Sequence, residues 1–368
     1  MKVLVVSNMF PNKNNPSYGI FVSHFCEQLE QIGINYDKVV MSKPYGKAAK
    51  LLKYLIFYII TFLKYLFGDY DVVYIHYSSH SSAPIILANH IKKRKIVVNV
   101  HGSDVVPEND KQEKMQKYTR KILQVSSAVV APSEYFRQYV NRKYRYTLDK
   151  IFIYPSAGIN NTLFYQYTES QINSMFDKFC LPKGKIIVGF VGRITAGKGW
   201  KTFILAASKL RESMEQFEFV MVGSGSDEEM LSLLIKENRL DGCIRRFPLL
   251  NQSDLADMYN CFDIFVFPTE REGESLGLVA IEAMTCGTPV IASDFAAPKY
   301  YIRNGINGYK FEKGNVTALV KCLLHYSTID KTTVELLKKN AIETSKYYYT
   351  ENILENLQQI FKEIENEK

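Results

Sequence analysis

Short runs rich in Val, Ile and Phe alternate with segments of helical length along almost the whole chain, and this restricts the fold more than any other feature. In the first half the runs are Val3–Ser7, Asn35–Met41, Asp71–His76, Ile96–Val100, Ala128–Ala131 and Ile151–Tyr154. Helical patterns such as Phe21–Ile32 and Lys111–Gln124 separate them. Near-continuous apolar strands divided by helices predict a parallel sheet covered on both faces, because each crossover helix packs back onto the sheet. The pattern lapses between Pro155 and Lys185, where Pro155, Gly158, Asn160, Asn161, Pro182 and Gly184 read as an interdomain connection. It restarts with Ile186–Val191, Phe217–Val222, Ile244–Phe247, Ile264–Phe267, Pro289–Ala292 and Tyr309–Phe311, and ends in helical patterns over Thr333–Lys346 and Glu351–Glu365.

A chain of 368 residues is long enough for two domains of ordinary size. The repeated plan predicts an α/β protein of two Rossmann-like domains facing each other across a cleft, with ligands beyond the carboxyl ends of the strands. With 46% hydrophobic and 23% charged residues, the composition excludes a disordered chain, a collagen and a small disulfide scaffold. The six cysteines, at 26, 180, 243, 261, 286 and 322, form no C-x-x-C pair and read as reduced thiols without a zinc site.

Charge is unevenly spread. Residues 1–180 hold 23 Lys and Arg against 13 Asp and Glu, a net of +10, whereas the whole chain is +8. A basic first half suits nucleic acid, an anionic membrane or an acidic substrate. No nucleic-acid motif is recognisable, so nucleic acid is not expected as a partner. The opening run Val3–Val6 is too short for a signal-peptide core. The longest apolar stretch, Leu51–Phe67, is interrupted by Lys53 and Lys64 and is too short between them to span a bilayer. Its polar positions Lys47, Lys50, Tyr54, Tyr58, Thr61, Lys64 and Tyr65 fall on one helical stripe. Two readings stay open: a core helix packed on a sheet, or an interfacial helix on an anionic membrane, reinforced by Lys92–Lys95 and Arg137–Arg145.

Three segments carry chemistry. Gly192 to Lys198 matches the opening of a phosphate-binding loop, but position 199 is Gly where such a loop needs Ser or Thr to hold magnesium. What remains is a glycine-lined loop with two fixed cations, Arg193 and Lys198, able to flank a diphosphate without a metal. Gly223-Ser-Gly225 follows another strand, yet the third glycine of a dinucleotide fingerprint would fall at Glu228. It marks a close backbone approach or a turn. The third segment, Glu270 to Ile291, predicts a helix starting near Gly277 and ending at Gly287, whose free N–H groups make an anion site. Glu274 sits just before that helix and Glu282 lies inside it among apolar neighbours, so Glu282 needs a dedicated partner. A carboxylate can accept hydrogen bonds from two sugar hydroxyls at once. Asp69-Tyr-Asp71 has the form of a manganese-holding D-x-D, but it precedes a strand and so reads as a strand-entry turn.

Glu274-Ser-Leu-Gly-Leu-Val-Ala-Ile-Glu282 closely resembles the E-x7-E signature of retaining glycosyltransferases of family 4, which have the GT-B fold. Gly192-Arg193 with Lys198-Gly199 resembles the donor-phosphate motif of the same family. The resemblance implies that Arg193 and Lys198 neutralise the departing diphosphate, that Glu282 binds the ribose and that Glu274 binds donor-sugar hydroxyls. It places Ser275 and the backbone of Leu276, Gly277 and Leu278 on phosphate and sugar oxygens, Gly192 and Gly223 beside the donor, and Phe247–Asn251, with Leu249, on the base. In the first half, Tyr18-Gly19 resembles the glycine loop beside the phosphates, with one glycine where the family often has two. His101-Gly-Ser-Asp104 resembles the loop under the donor sugar, with His101 near the anomeric centre and Asp104 in the donor site. Ala296-Ala-Pro-Lys-Tyr-Tyr301 departs from the Gly and Glu common in relatives.

The resemblance implies an acceptor-binding domain over residues 1–165, a nucleotide-sugar domain over 183–347, and a helix at about 350–368 packing back on the first. The expected activity is transfer of a hexosyl or N-acetylhexosaminyl group from a nucleotide diphosphate sugar, a UDP-sugar, to a lipid-linked or oligosaccharide acceptor in cell-surface glycan synthesis. No cofactor or metal is expected. The segment from Asn8 to Val22 is similar to bacterial transferases that work peripherally on the inner face of the plasma membrane, which makes an anionic membrane the expected surface and the cytoplasm the expected location. Rival readings are a UDP-sugar epimerase of the same fold and a glycan-binding protein with a dead donor site.

Overall fold

The computed structural model describes residues 1–156, 158–213 and 215–366. Two sheets of six parallel strands organise it. The first contains β1 (Lys2–Phe10), β2 (Asn35–Ser42), β3 (Val72–His76), β4 (Lys95–Asn99), β5 (Ala128–Ala131) and β6 (Ile151–Ile153), in spatial order β2-β1-β3-β4-β5-β6. The second contains β7 (Ile186–Val191), β8 (Phe217–Val222), β9 (Ile244–Phe247), β10 (Ile264–Phe267), β11 (Val290–Ser293) and β12 (Gly308–Phe311), in order β12-β11-β10-β7-β8-β9. The chain divides accordingly into one unit of Met1–Gly158 with the residues from Thr350 onward, and another of Ile159–Tyr349. Both orders are doubly wound. Each reverses direction beside its first strand, between β1 and β3 in one unit and between β7 and β10 in the other, and such switch points open a crevice at the carboxyl ends of the strands.

The inner strands form where apolar, often β-branched residues run together, because both faces of each sheet are covered there; the edge strands β2 and β9 are more polar and partly exposed. All of β3 is buried, as are all of β5 and β10. In the first unit Val3, Val5, Phe25, Leu29, Tyr74, Val97 and Val130 share a core with one face of the final helix, Thr350–Asn366. That helix contributes Ile353, Leu357, Ile360, Phe361 and Ile364, spaced three and four apart so that they line a single stripe. Residues 367 and 368 of the expected 350–368 helix lie outside the described residues. The second unit is centred on Phe190, Trp200, Phe203, Phe217 and Phe219, between β7, β8 and the helix Trp200–Lys209.

The long apolar segment forms a single helix, Lys47–Phe67, of 21 residues, and its orientation is the reverse of an ordinary core helix. Its tyrosine and threonine stripe faces the protein, and its Leu and Ile arc faces outward. Thr61 and Tyr65 are fully buried, whereas Leu51 is 75% exposed and Phe67 80%. The reason is the reach of the hydroxyls. The Tyr65 hydroxyl donates to Asn89 Oδ1 at 2.7 Å, the Tyr58 hydroxyl donates to the His80 carbonyl at 3.1 Å, and the Tyr54 hydroxyl accepts from Asn8 Nδ2 at 3.1 Å. Tyr is buried readily when its ring is covered and its tip is paired. Among the described residues, no helix is long and apolar enough to cross a membrane.

Phe361 is 1% exposed, and truncating such a side chain costs about 3–5 kcal/mol. Phe361→Ala is therefore expected to shift the urea unfolding transition of the first unit to lower denaturant; an unchanged midpoint would mean that the final helix does not hold that core together.

Candidate active site

The switch point of the second unit opens into a cavity of about 370 Å³. Its floor is the ends of β7, β8 and β10, with Val191, Val222 and Phe267 among the lining residues. Arg193 and Lys198 enter from the loop after β7, Gly223 and Ser224 from the loop after β8, Leu249 and Leu250 from the loop after β9, and Glu274, Ser275, Gly277 and Leu278 from the loop after β10. Four loops that are far apart in sequence thus meet because their strands are neighbours.

Two glycines let the loops close on each other. The loop after β8 lies backbone to backbone on the loop after β7: a Cβ on Gly223 would sit 2.0 Å from the Gly192 carbonyl oxygen, and its φ is +130°. The close approach suggested by Gly223 is therefore to the neighbouring cationic loop. At Gly199 a Cβ would sit 1.7 Å from the Pro268 carbonyl oxygen, with φ at +73°. A Ser or Thr there, as a magnesium-binding phosphate loop requires, has no room. The same contact seats Lys198 against the end of β10.

The electrostatics are asymmetric. Lys198 Nζ lies 2.6 Å from Glu274 Oε2, and both side chains are largely shielded from water. The Thr269 hydroxyl donates to the same oxygen at 3.3 Å. Arg193 is exposed and has no ion-pair partner among the described residues. Gly277 precedes the helix Leu278–Thr285 with no side-chain cap. The backbone N–H groups of Leu276, Gly277, Leu278 and Val279 have no protein partner among the described residues. A helix start leaves such donors free and carries a partial positive charge. The Tyr301 hydroxyl donates to the Leu276 carbonyl at 3.1 Å, so the divergent segment Ala296–Tyr301 buttresses this turn from behind.

Glu282 occupies the next turn of that helix and is not among the residues lining the cavity. Its Oε2 accepts from the Tyr259 hydroxyl at 3.0 Å, which supplies the dedicated partner expected for it. Burial pushes its carboxyl up to about 7, and the Tyr259 hydrogen bond opposes that shift only in part. Leu249 is 80% exposed and Leu250 lies beside it, whereas Phe247 turns away to pack edge-on against Phe179 at 5.7 Å. Neither Tyr259 nor the place of Phe267 beneath the cavity was legible from local sequence; their roles depend on strand order.

Gly19, His101 and Asp104 belong to the first unit, at the carboxyl ends of its strands. Gly19 precedes the helix Ile20–Gln31 after the loop that follows β1, and it packs against the end of that strand, where a Cβ would sit 2.6 Å from the Met9 carbonyl carbon. Asp104 is fully buried and saturated: Oδ1 accepts the N–H groups of His101 and Gly102, each at 2.9 Å, and Oδ2 accepts the Ser78 N–H and hydroxyl. It acts on the shape of the His101 loop, with no oxygen left idle. Asp71, in the D-x-D, accepts the Lys2 N–H at 2.6 Å at the amino end of β3. It is a strand-entry clamp at the end of the sheet away from the crevice.

Comparison with known proteins supplies the family. Residues 171–344 match the model of glycosyl transferases group 1, and residues 20–157 match that of glycosyltransferase family 4. A capsular polysaccharide biosynthesis glycosyltransferase, CapM of Staphylococcus aureus, is 29% identical over 175 residues, which is 45% of this chain and 43% of CapM. The matches cover between 27% and 60% of the length of the curated relatives considered. Among solved structures, sucrose-phosphate synthase from Thermosynechococcus elongatus aligns over all of both chains with a TM-score of 0.79 at 20% identity. Anabaena HepE, crystallised with UDP and glucose, aligns over 99% of this chain and 100% of its own with a TM-score of 0.74 at 17% identity. These neighbours share the GT-B fold of two Rossmann-like domains. With one family model on each sheet, and with the E-x7-E pair and the cationic loop on the second, the chain carries a glycosyltransferase family 4 domain followed by a glycosyl transferases group 1 domain.

Proposed function

We propose that this chain transfers a hexosyl or N-acetylhexosaminyl group from a UDP-sugar to a hydroxyl of a lipid-linked or polysaccharide acceptor, with retention at the anomeric carbon, in the assembly of a cell-surface glycan. The observation that carries this reading is one cavity at a switch point that gathers Arg193, Lys198 and the unpaired N–H groups ahead of Leu278. The UDP and glucose in HepE and the capsular role in CapM's name support the choice of donor and product class.

In this reading the C1–O bond to the diphosphate breaks, the acceptor oxygen bonds to C1 on the same face, and the acceptor proton passes to a leaving phosphate oxygen. The barrier falls because positive groups wait where negative charge develops. Arg193 and the helix start are already unpaired. Lys198 is held by Glu274 until the diphosphate takes the ammonium and the sugar hydroxyls take the carboxylate. Two side-chain cations and a helix end then meet the charge without a divalent metal.

The acceptor side of the reading rests on the helix Lys47–Phe67. Its outward arc of Leu51, Leu52, Leu55, Ile56, Ile59 and Leu63 is exposed, and an apolar groove of about 340 Å³ separates it from the helix Ala83–Ile91. Exposed Lys47, Lys50, Lys92 and Lys93 lie along its ends, and residues 38–68 contain no Asp or Glu. Apolar side chains flanked by lysines suit the headgroup layer of an anionic bilayer. The occupant assigned to this face is therefore the inner leaflet of the plasma membrane, with the enzyme bound peripherally from the cytoplasm.

Arg193→Ala and Lys198→Ala are each expected to lower turnover of a UDP-sugar by about a hundredfold or more, with EDTA leaving the parent rate unchanged. Near-normal rates in both variants would overturn the site, and a new sugar nucleotide formed without acceptor would indicate an epimerase. Glu282 lies one helix turn behind the cavity lining, and its carboxyl, pushed up to about 7 by burial, accepts from ribose hydroxyls more strongly when ionised, so in this reading affinity for a UDP-sugar is expected to rise by up to about tenfold from pH 6 to pH 8. Calorimetry should show this rise for the parent and a flat profile for Glu282→Gln. Flotation with phosphatidylglycerol vesicles should carry the protein up, phosphatidylcholine vesicles should not, and Leu55→Ser with Ile59→Ser should abolish the effect; equal recovery on both lipids would refute the membrane assignment.

A further inference from the structure

Two imidazoles meet at the carboxyl end of the first sheet. His76 is the last residue of β3 and is 1% exposed. The rings of Phe25, Tyr74 and Phe21 surround it, with centroids at 4.7, 5.1 and 6.0 Å. Its Nδ1 lies 3.0 Å from Nε2 of His101, which follows β4 in the neighbouring position of the sheet. Its Nε2 is buried and has no hydrogen-bond partner. His101 is half-buried under Phe21, with ring centroids 4.2 Å apart, and its Nδ1 has no protein partner among the described residues.

Burial holds both imidazoles below their ordinary pKa, and the nearby Asp104 carboxylate only partly offsets this at His101, so both rings are neutral at pH 7. Two neutral imidazoles in contact share a single proton, one ring donating and the other accepting. If His101 donated, His76 would accept at Nδ1 and carry its own proton on Nε2, an N–H sealed among aromatic rings. Orphaned buried N–H groups are rare, and an idle lone pair is tolerated better. The reverse arrangement leaves only a lone pair on that atom.

We propose that His76 is a positioning residue that donates its Nδ1–H to His101 Nε2 and fixes His101 as the neutral tautomer with its proton on Nδ1. His101 then offers substrate a hydrogen-bond donor. Its other nitrogen is occupied, so it is unavailable as a base. This deepens the transferase reading, on which the placement of His101 beside the donor sugar rests. A fixed donor there suits an oxygen that gains negative charge, and it leaves the acceptor proton to the phosphate.

The test is long-range proton–nitrogen NMR of the full chain labelled with ¹⁵N-histidine, with the His101 signals assigned by their loss in His101→Asn. The parent protein should show His101 protonated on Nδ1 and bare on Nε2; the opposite tautomer overturns the proposal and needs no further variant. His76→Phe keeps a ring in the aromatic cage but removes the donor, and should shift the His101 proton toward Nε2. His76→Asn, whose amide nitrogen approximates Nδ1, should preserve the parent tautomer. Sugar transfer should fall about tenfold to a hundredfold in kcat in His76→Phe, with little change in KM, and recover in His76→Asn, as for other residues that orient a histidine. An unmoved His101 proton in folded His76→Phe would refute the pairing. A moved proton with unchanged transfer would uphold the pairing and remove His101 from the reacting centre, leaving the cavity of Arg193 and Lys198 to be judged on its own variants.

Discussion

The ammonium of Lys198 and the carboxylate of Glu274 stand 2.6 Å apart, and each is the other's substitute for a ligand. An isolated lysine in that cavity would be costly to desolvate, and so would an isolated glutamate. Paired, they can wait there, and a ligand that brings both phosphate and hydroxyl groups can replace each half of the pair with a better-matched partner. Arg193 is not tied up in this way. The site therefore combines one unpaired cation with one held in an ion pair, and in the proposed reading the second is released only by a ligand that carries both phosphate and hydroxyl groups.

Close backbone packing and two hydroxyls, those of Thr269 and Tyr301, hold this pair and the turn beside it in place. Gly199 lies so close to Pro268 that no side chain fits, and Gly223 lies equally close to Gly192. These contacts set the loop after β7 against the ends of β8 and β10, and the turn ahead of Leu278 is propped by the Tyr301 hydroxyl. The same economy operates in the first unit, where Asp104 spends all its hydrogen-bonding capacity on the loop that carries His101. The charged groups that line the cavity and the groups that shape it are largely separate, which is how a rigid sheet can present charged side chains in fixed directions.

Much of this was legible in the sequence. The runs at Ala128–Ala131, Ile186–Val191 and Ile264–Phe267 coincide with the strands, because a strand buried on both faces must be apolar throughout and its ends are marked by polar or glycine residues. The need for a partner at Glu282 was legible too, since a carboxylate in an apolar helix has few other ways to exist. The partner was not: Tyr259 lies 23 residues earlier, and nothing local distinguishes it from the chain's other 24 tyrosines. The helix Lys47–Phe67 shows the other kind of limit. Its stripe of polar positions was visible, but whether the stripe faced water or protein depended on Asn8, His80 and Asn89 being there to meet the tyrosine hydroxyls.

Sequence alone determined the strand-and-helix alternation, the two-domain plan and the charged residue types at the second switch point, since each follows from local burial and from residue chemistry at short spacing. Tertiary structure decided which distant groups meet: Lys198 with Glu274, Glu282 with Tyr259, His76 with His101, and tyrosines inward with leucines outward on one helix. Those pairings depend on the order of strands in a sheet, which brings together loops tens of residues apart, and no local pattern encodes that order.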